Sequence, residues 1–319
     1  MYLKVYLTQL FEVDSINNSE LINYQYLIVD EVSMLDDKIC NDIMKFCNNV
    51  KIIFMGDPAQ IPPINRNDCI PFKSNTKYNF KITELTEIMR QKGNHPIIDL
   101  SFQIRKNLNK SQPIPVLQTK LNEHDHGLVY MDNKTDKALI KPLLKKYFKS
   151  SMYEEDTDYI KVIAWKNKTV EYVNQLIREI LYGPNLPKFV VKENLIVLKP
   201  VFEEDKSSKN YNKWRIILNT SEELVVESVF KNYMRFKEGN FSIGAFVYTL
   251  VVKSYDPSFP DTEFFNTINV IHEDSAQEYK NVLDNARNHA VKSKQAKDWV
   301  RYFNMVKWSA NVSYNYAIT

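Results

Sequence analysis

Apolar residues fall into distinct textures along this chain. Tyr26-Leu-Ile-Val29 is an unbroken apolar run that ends in Asp30-Glu31. Continuous rather than alternating apolarity predicts a strand buried on both faces of a parallel sheet. Asp36 and Asp37 offer an N-cap to a helix whose Ile39, Ile43, Phe46 and Cys47 recur at helical spacing, closed by Asn48-Asn49. A second run, Lys51-Ile-Ile-Phe-Met55, predicts another buried strand and ends in Gly56-Asp57. Strand, helix, strand predicts a βαβ unit with both polar tips at the carboxyl end of the sheet.

Helical spacing returns behind Pro96, where Ile97, Leu100, Ile104 and Leu108 form a stripe. A connection containing Pro and Lys leads to a predicted strand, Tyr159-Ile-Lys-Val-Ile-Ala164. A helix through Val170, Val173, Ile177 and Ile180 follows, stopped by Gly183-Pro184. This is the start of a second α/β unit. From Pro187 the texture changes to short β-rich pieces, 189–201, 214–218, 224–229, 234–236 and 246–252, with a further strand at 267–271. Residues 203–213 read as a polar loop. Ser275-x-x-Glu278 has the form of a capping box ahead of Tyr279, Val282, Leu283 and Ala286.

Composition narrows the class only modestly. At 44% hydrophobic and 25% charged residues the chain is an ordinary globular protein, and 319 residues suggest two or three domains. No apolar run approaches the roughly 20 residues of a membrane span, and the first residues lack a signal-peptide pattern. Cys40, Cys47 and Cys69 cannot all pair and form no Cys-x-x-Cys, so reduced core thiols in a cytoplasmic protein are expected. A net charge of +3 permits a local basic groove without arguing for one. None of the six glycines is followed by Lys, so the sequence holds no G-x-x-x-x-G-K-[ST] loop, and no G-x-G-x-x-G either. His124-Asp-His126 alternates as a strand metal pair would, but lacks further ligands nearby.

The two strand tips carry the chemistry. Adjacent carboxylates at the end of a buried strand suit nucleotide hydrolysis, one holding Mg²⁺ and the other deprotonating the attacking water. Asp30 takes the metal role and Glu31 the base. The second tip, Gly56-Asp57-Pro-Ala-Gln60-Ile-Pro-Pro63, places a Gln amide where it can donate to a γ-phosphate or accept from water. Among the aromatics of the β-rich part, Trp214, Tyr233, Phe236, Phe241, Phe246 and Tyr248 can either stack on exposed bases or pack a core, and core packing is expected for most.

Leu27–Met34 and Ile53–Pro63 resemble motifs II and III of superfamily-1 DNA helicases, in the group of the phage Dda and RecD enzymes. Glu84-Leu-Thr-Glu-Ile-Met-Arg-Gln91 resembles motif IV, and Val162–Val170 with Asn174 and Arg178 resembles the motif that opens the second motor domain. Residues 193–200 and 216–219 resemble that family's SH3-like insertion. The resemblance implies a RecA-like P-loop NTPase fold with an SH3-like β-barrel inserted. It implies ATP and Mg²⁺ as cofactors, bound by Asp30, Glu31, Gly56, Asp57, Gln60, Arg90 and Gln91, with Arg90 as the arginine finger. Lys166, Asn167 and Lys168 would lie on the DNA backbone, although Lys166 stands where the family usually has Thr.

The domain division expected from this is 1–95 for the first motor domain and 96–186 for the first part of the second. The β insertion with its flanking helix would cover 187–305, and 306–319 would return to the second motor domain. By resemblance the phosphate loop precedes this sequence and the C-terminal motifs follow it, making the chain a middle section. The implied activity is ATP-driven 5′-to-3′ translocation on single-stranded DNA with unwinding of the duplex. The alternative is a non-catalytic single-strand-binding remnant. Single-stranded and fork DNA are the expected partners of a monomer, with a single-strand-binding protein as a candidate third and no membrane.

Overall fold

The computed structural model describes residues 24–47, 50–64, 66–73, 76–87, 95–108, 114–124, 126–132, 136–204, 214–256 and 259–319. The chain divides into two compact units, 1–135 and 136–319. Residues 96–107 lie within the first of these units. Among the described residues no helix is long and apolar enough to cross a membrane.

In the first unit, β1 (Tyr26–Val29) pairs in parallel with β2 (Lys51–Phe54), Tyr26 opposite Lys51 and Val29 opposite Phe54. Between them run a 3₁₀ turn, Val32–Met34, and helix α1, Asp37–Phe46. The Asp36 carboxylate caps α1, accepting from the N–H groups of Lys38 at 2.7 Å and Ile39 at 2.9 Å. Cys40, Cys47 and Cys69 are buried and unpaired. Burial raises the Cys40 thiol to about 11, which keeps it neutral and unreactive. One expectation needs correcting: among the described residues β1 and β2 are not covered on both faces. Tyr26, Ile28 and Ile53 are exposed, with the Lys51 ammonium 5.3 Å from the centre of the Tyr26 ring. Helix α2 (Pro96–Asn107) begins as anticipated, with Pro96 in the first turn and His95 accepting from the Ile97 N–H. A small hairpin, β3 (Lys120–Leu121) with β4 (Gly127–Leu128), completes the unit.

The second unit opens with two helices hidden in what reads as a connection, α3 (Lys137–Phe148) and α4 (Ser151–Glu155). Pro142 inside α3 and the density of Lys obscure its apolar face, whose Leu144 and Phe148 are buried against Tyr153, Ile177, Ile180 and Tyr316. The expected strand at 159–164 shortens to β5 (Val162–Ile163), followed by α5 (Asn167–Tyr182) ending at Gly183 with φ of 100°. β5 pairs in parallel with β13 (Ala317–Ile318), so the chain leaves this α/β element after α5 and returns to it.

What lies between is mostly antiparallel: β6 (Asn194–Lys199), β7 (Val201–Glu204), β8 (Trp214–Leu218), β9 (Glu223–Glu238), β10 (Phe241–Asp256), β11 (Phe259–Ile271) and β12 (Asn311–Tyr314). Five of them form one sheet in the order β11-β10-β9-β6-β12, while β7 and β8 make a separate ribbon. Val201 and Leu218 of the ribbon join a core with Leu195, Val197, Leu224, Val226, Leu250 and Val252. An SH3-like barrel was expected; among the described residues the sheet is open, with β11 and β12 at opposite edges and no pairing between them.

The pieces expected at 224–229 and 234–236 are one strand, because alternation continues through Lys231 and Tyr233. A bulge that leaves Glu227 unpaired shifts the β9–β10 register. The two ends of this ribbon use opposite faces. Leu250 and Val252 enter the core already described, whereas Ile243, Ala245 and Val247 pack with Phe236 against Tyr279 of α6 (Glu273–Ser293). Helix α7 (Ala296–Val306) packs beside α6. The expected capping box is not formed. His272 caps α6, accepting from the Asp274 N–H at 3.1 Å, and the Ser275 hydroxyl instead accepts from the Phe246 N–H at 2.9 Å. A strand edge that offers an unpaired N–H captures the hydroxyl more effectively than its own helix end does.

Candidate nucleotide site

The first unit brings two strand tips together. Beyond β1, Glu31 takes a left-handed conformation with φ of 52°, and its N–H donates to Asp30 Oδ1 at 2.8 Å. The chain then doubles back so that the Val32 N–H donates to the Met55 carbonyl at 3.0 Å, while the Met55 N–H donates to the Val29 carbonyl at 2.8 Å. These bonds lock the end of β1 to the end of β2. Gly56 is required by that closeness: a Cβ there would stand 2.9 Å from the Val32 nitrogen and 3.1 Å from its Cγ2. Asp30 and Glu31 consequently sit exposed beside the Gly56-Asp57 turn.

Asp57 is held from α2. Arg105 engages both carboxylate oxygens, Nη1 to Oδ1 at 2.8 Å and Nη2 to Oδ2, and the Ala59 N–H donates to Oδ1 at 2.9 Å. The guanidinium holds the Asp57 carboxyl below its ordinary range. The Gln60 N–H donates to the Asp57 carbonyl at 3.0 Å, and the residue is exposed one turn beyond the tips. Asp57 is thus occupied as the anchor of the second tip. Its partner Arg105 stands in the sequence, with Pro96–Asp99, at the spacing of the same helicase group but without an assigned role; the structure makes it the residue that positions Asp57.

Oxygen donors suited to a hard cation are present. Asp30 is exposed and offers carboxylate oxygen, the ligand type Mg²⁺ takes. The Ser33 hydroxyl, two residues past Glu31, is buried without a hydrogen-bond partner among the described residues. An orphaned hydroxyl next to paired carboxylates is a donor set compatible with a hydrated Mg²⁺ and its nucleotide. Sequence reading passed over Ser33, since nothing in a Val-Ser-Met turn marks its hydroxyl as buried.

Arg90 and Gln91 lie outside the described residues. Lys166, Asn167 and Lys168 belong to the second unit, where they are exposed at the start of α5 beside Trp165, itself 94% exposed. Lys166 occupies the N-cap position without a side-chain cap bond. Asn174 and Arg178, further along α5, face inward. Asn174 bonds both backbone groups of Ala317, accepting its N–H at 2.8 Å and donating to its carbonyl at 3.1 Å. Arg178 pairs with Glu193, donates to the Pro187 and Lys188 carbonyls and lies 4.1 Å over the Tyr314 ring. These two hold the fold rather than a ligand.

Comparison with known proteins agrees with the first-unit geometry. Residues 7–125 match the AAA domain family. The chain is 28% identical over 193 residues to the ATP-dependent DNA helicase dda of Enterobacteria phage T4, covering 59% of this chain and 40% of that protein. It is also 28% identical over 185 residues to an uncharacterized protein of Acanthamoeba polyphaga mimivirus, covering 55% of this chain and 35% of the relative. The matches span less than half the length of either relative. The strand tips bearing Asp30-Glu31 and Gly56-Asp57 lie within the residues that match the AAA domain family, and that match together with the similarity to a phage DNA helicase supports a superfamily-1 helicase-like segment in this chain.

Proposed function

We propose that this chain is a section of an ATP-driven motor that translocates 5′ to 3′ on single-stranded DNA and unwinds duplex. The observation that carries the reading is the juxtaposition of the two tips through the Val32–Met55 bond and the close approach at Gly56. In this reading Mg²⁺ bound with ATP supplies charge neutralisation, and Asp30 is its carboxylate. Glu31 accepts the proton of the attacking water. Gly56 and Asp57 shape the wall of the nucleotide site, with Arg105 fixing Asp57. Gln60 contacts the γ-phosphate and relays its presence; Arg90 and Gln91 complete the nucleotide contacts, Arg90 as the finger. Lys166, Asn167 and Lys168 hold the DNA backbone.

The pairing of β13 with β5 supports reading residues 136–186 and 306–319 as parts of one second motor domain, with the β-rich module inserted between them. A second reading is single-stranded DNA binding without hydrolysis by these 319 residues. The observation in its favour is that no G-x-x-x-x-G-K-[ST] loop stands among them.

Steady-state ATP hydrolysis on single-stranded DNA by the native polypeptide carrying this sequence tests the proposal. Glu31→Gln is expected to retain nucleotide binding and to lower turnover by roughly 10²-fold or more, since the amide keeps the shape but cannot take the proton. Turnover at the parental rate in that variant removes Glu31 from the base role.

A further inference from the structure

Among the described residues, no element covers the outer face of the β9–β10 ribbon at its far end, beyond the bulge. Beyond the bulge, Phe236, Ile243, Ala245 and Val247 point toward α6 and are buried. The alternate positions point the other way. On β9 these are Lys231, Tyr233, Arg235 and Lys237, and their cross-strand partners on β10 are Tyr248, Phe246, Gly244 and Ser242. Lys231, Tyr233, Arg235, Lys237, Ser242 and Phe246 are all exposed. Same-face residues on a strand are about 6.8 Å apart, so the four β9 positions span roughly 20 Å.

The chemistry of this face is specific. Tyr233 and Phe246 meet edge to face with centroids 5.2 Å apart, yet stay 60% and 41% exposed. Lys231 Nζ lies 4.9 Å from the centre of the Phe246 ring and pairs with Asp274 at 3.0 Å. Arg235 and Lys237 form no ion pair among the described residues. Gly244 makes the shelf possible: a Cβ there would come within 1.9 Å of the Tyr233 hydroxyl oxygen, so only glycine lets this ring lie down across the ribbon. Two large rings held open to solvent beside the uncommitted cations Arg235 and Lys237 match the alternation of bases and phosphates in an unpaired strand. A protein partner of ordinary composition would use the rings but leave the excess positive charge unmet.

We propose that this outer ribbon face binds single-stranded nucleic acid, with Tyr233 and Phe246 stacking on bases and Arg235 and Lys237 meeting phosphates. The proposal deepens the motor reading and rests on it for the partner being DNA. It adds a grip within the β module, away in sequence from both the nucleotide tips and Lys166–Lys168.

The test is fluorescence anisotropy of a labelled oligothymidylate, without nucleotide, against the parent chain and three variants. Tyr233→Ala/Phe246→Ala is expected to weaken binding roughly 5- to 100-fold, the range of one stacked base or more. Arg235→Gln/Lys237→Gln is expected to flatten the log–log salt slope by about 1.4, or about 0.7 per lost phosphate contact. Gly244→Ala displaces Tyr233 without altering charge, so affinity should fall while the salt slope holds. The side chains replaced in the two double variants are all exposed, and unchanged melting of those variants separates binding from folding.

Parental affinity in both double variants overturns the proposal. If those variants also keep DNA-stimulated ATP hydrolysis in the native polypeptide, the motor reading stands without this face. A parent chain that binds no oligothymidylate overturns the proposal too. Equal capture of a polyglutamate peptide, insensitive to loss of the rings, overturns it in favour of an acidic protein partner.

Discussion

At the scale of single residues, the arrangement turns on groups whose roles differ although their chemistry is similar. Arg90 and Arg105 are both arginines near the helicase-like motifs, but the structure commits Arg105 to Asp57. If Arg90 is the finger, Arg90→Ala in the native polypeptide lowers ATP turnover roughly 10³-fold or more, with a smaller change in ATP affinity. A surface cation would cost about 0–1 kcal/mol of stability and no turnover. Steady-state hydrolysis distinguishes the two, and equal turnover numbers remove Arg90 from the site.

Gly56→Ala places a methyl against the Val32 backbone rather than against a pliant side chain, so the tips must separate. The expected cost is about 1–3 kcal/mol, read by urea denaturation, together with reduced hydrolysis. The Arg105–Asp57 pair adds a pH signature. Asp57 has a depressed folded pKa, so its contribution is full above the unfolded value of about 3.9 and disappears as pH falls through the lower folded one. Arg105 is half exposed, which limits that contribution to about 1 kcal/mol. The stability difference between the parent and Arg105→Gln should therefore persist from neutral pH to about 4 and close below it. A difference that widens in acid contradicts the assignment.

At the scale of elements, α5 is the axle of the second unit. One face buries Ile177 and Ile180, and the same face carries Asn174 to Ala317 and Arg178 to Glu193. The Arg178–Glu193 pair is nearly inaccessible, at 3% and 0% exposure. Burial pushes the Glu193 carboxyl up against the pull of Arg178. Arg178→Met would strand that carboxylate, an expected loss of roughly 3–5 kcal/mol in thermal or urea unfolding. Without the guanidinium, Glu193 has its folded pKa raised further, so stability of the variant should recover as pH falls and decline as pH rises. Arg178→Met/Glu193→Leu should restore much of the loss, because the uncompensated charge is gone. A pH-independent loss in the single variant would show that packing of Arg178 on Tyr314, not the charge, holds α5 in place.

At the scale of the whole molecule, a net charge of +3 on 319 residues is too small to bind DNA by bulk attraction. On the proposed reading, binding comes from local clusters, the exposed start of α5 and the β9–β10 face. Affinity for single strands should therefore fall steeply with salt, by a slope of about −0.7 per phosphate contact, with little dependence on base sequence. Filter binding or anisotropy across a salt series checks this. A flat response, or strong preference for one sequence, points to a specific binding module and away from a translocating motor.

Several features were determined by the sequence alone. The unbroken runs at 26–29 and 51–54, the Asp36 cap, Pro96 at the start of α2 and the stop at Gly183 are local chemistry, and each element forms where its residues dictate. The juxtaposed tips follow from βαβ geometry, which brings the carboxyl ends of parallel strands side by side whatever lies between. Other features depend on residues far apart in sequence. Helix α3 was hidden because Pro142 and its lysines mask a face that only packing against Ile177 and Tyr316 reveals. Ser275 has the form of a cap, but an unpaired N–H at Phe246, 29 residues earlier, claims its hydroxyl. Tyr233 and Phe236 look alike in sequence, three residues apart. The pleat sends Phe236 under α6 and leaves Tyr233 in solvent on the opposite face, and which face a helix would cover was decided by tertiary structure.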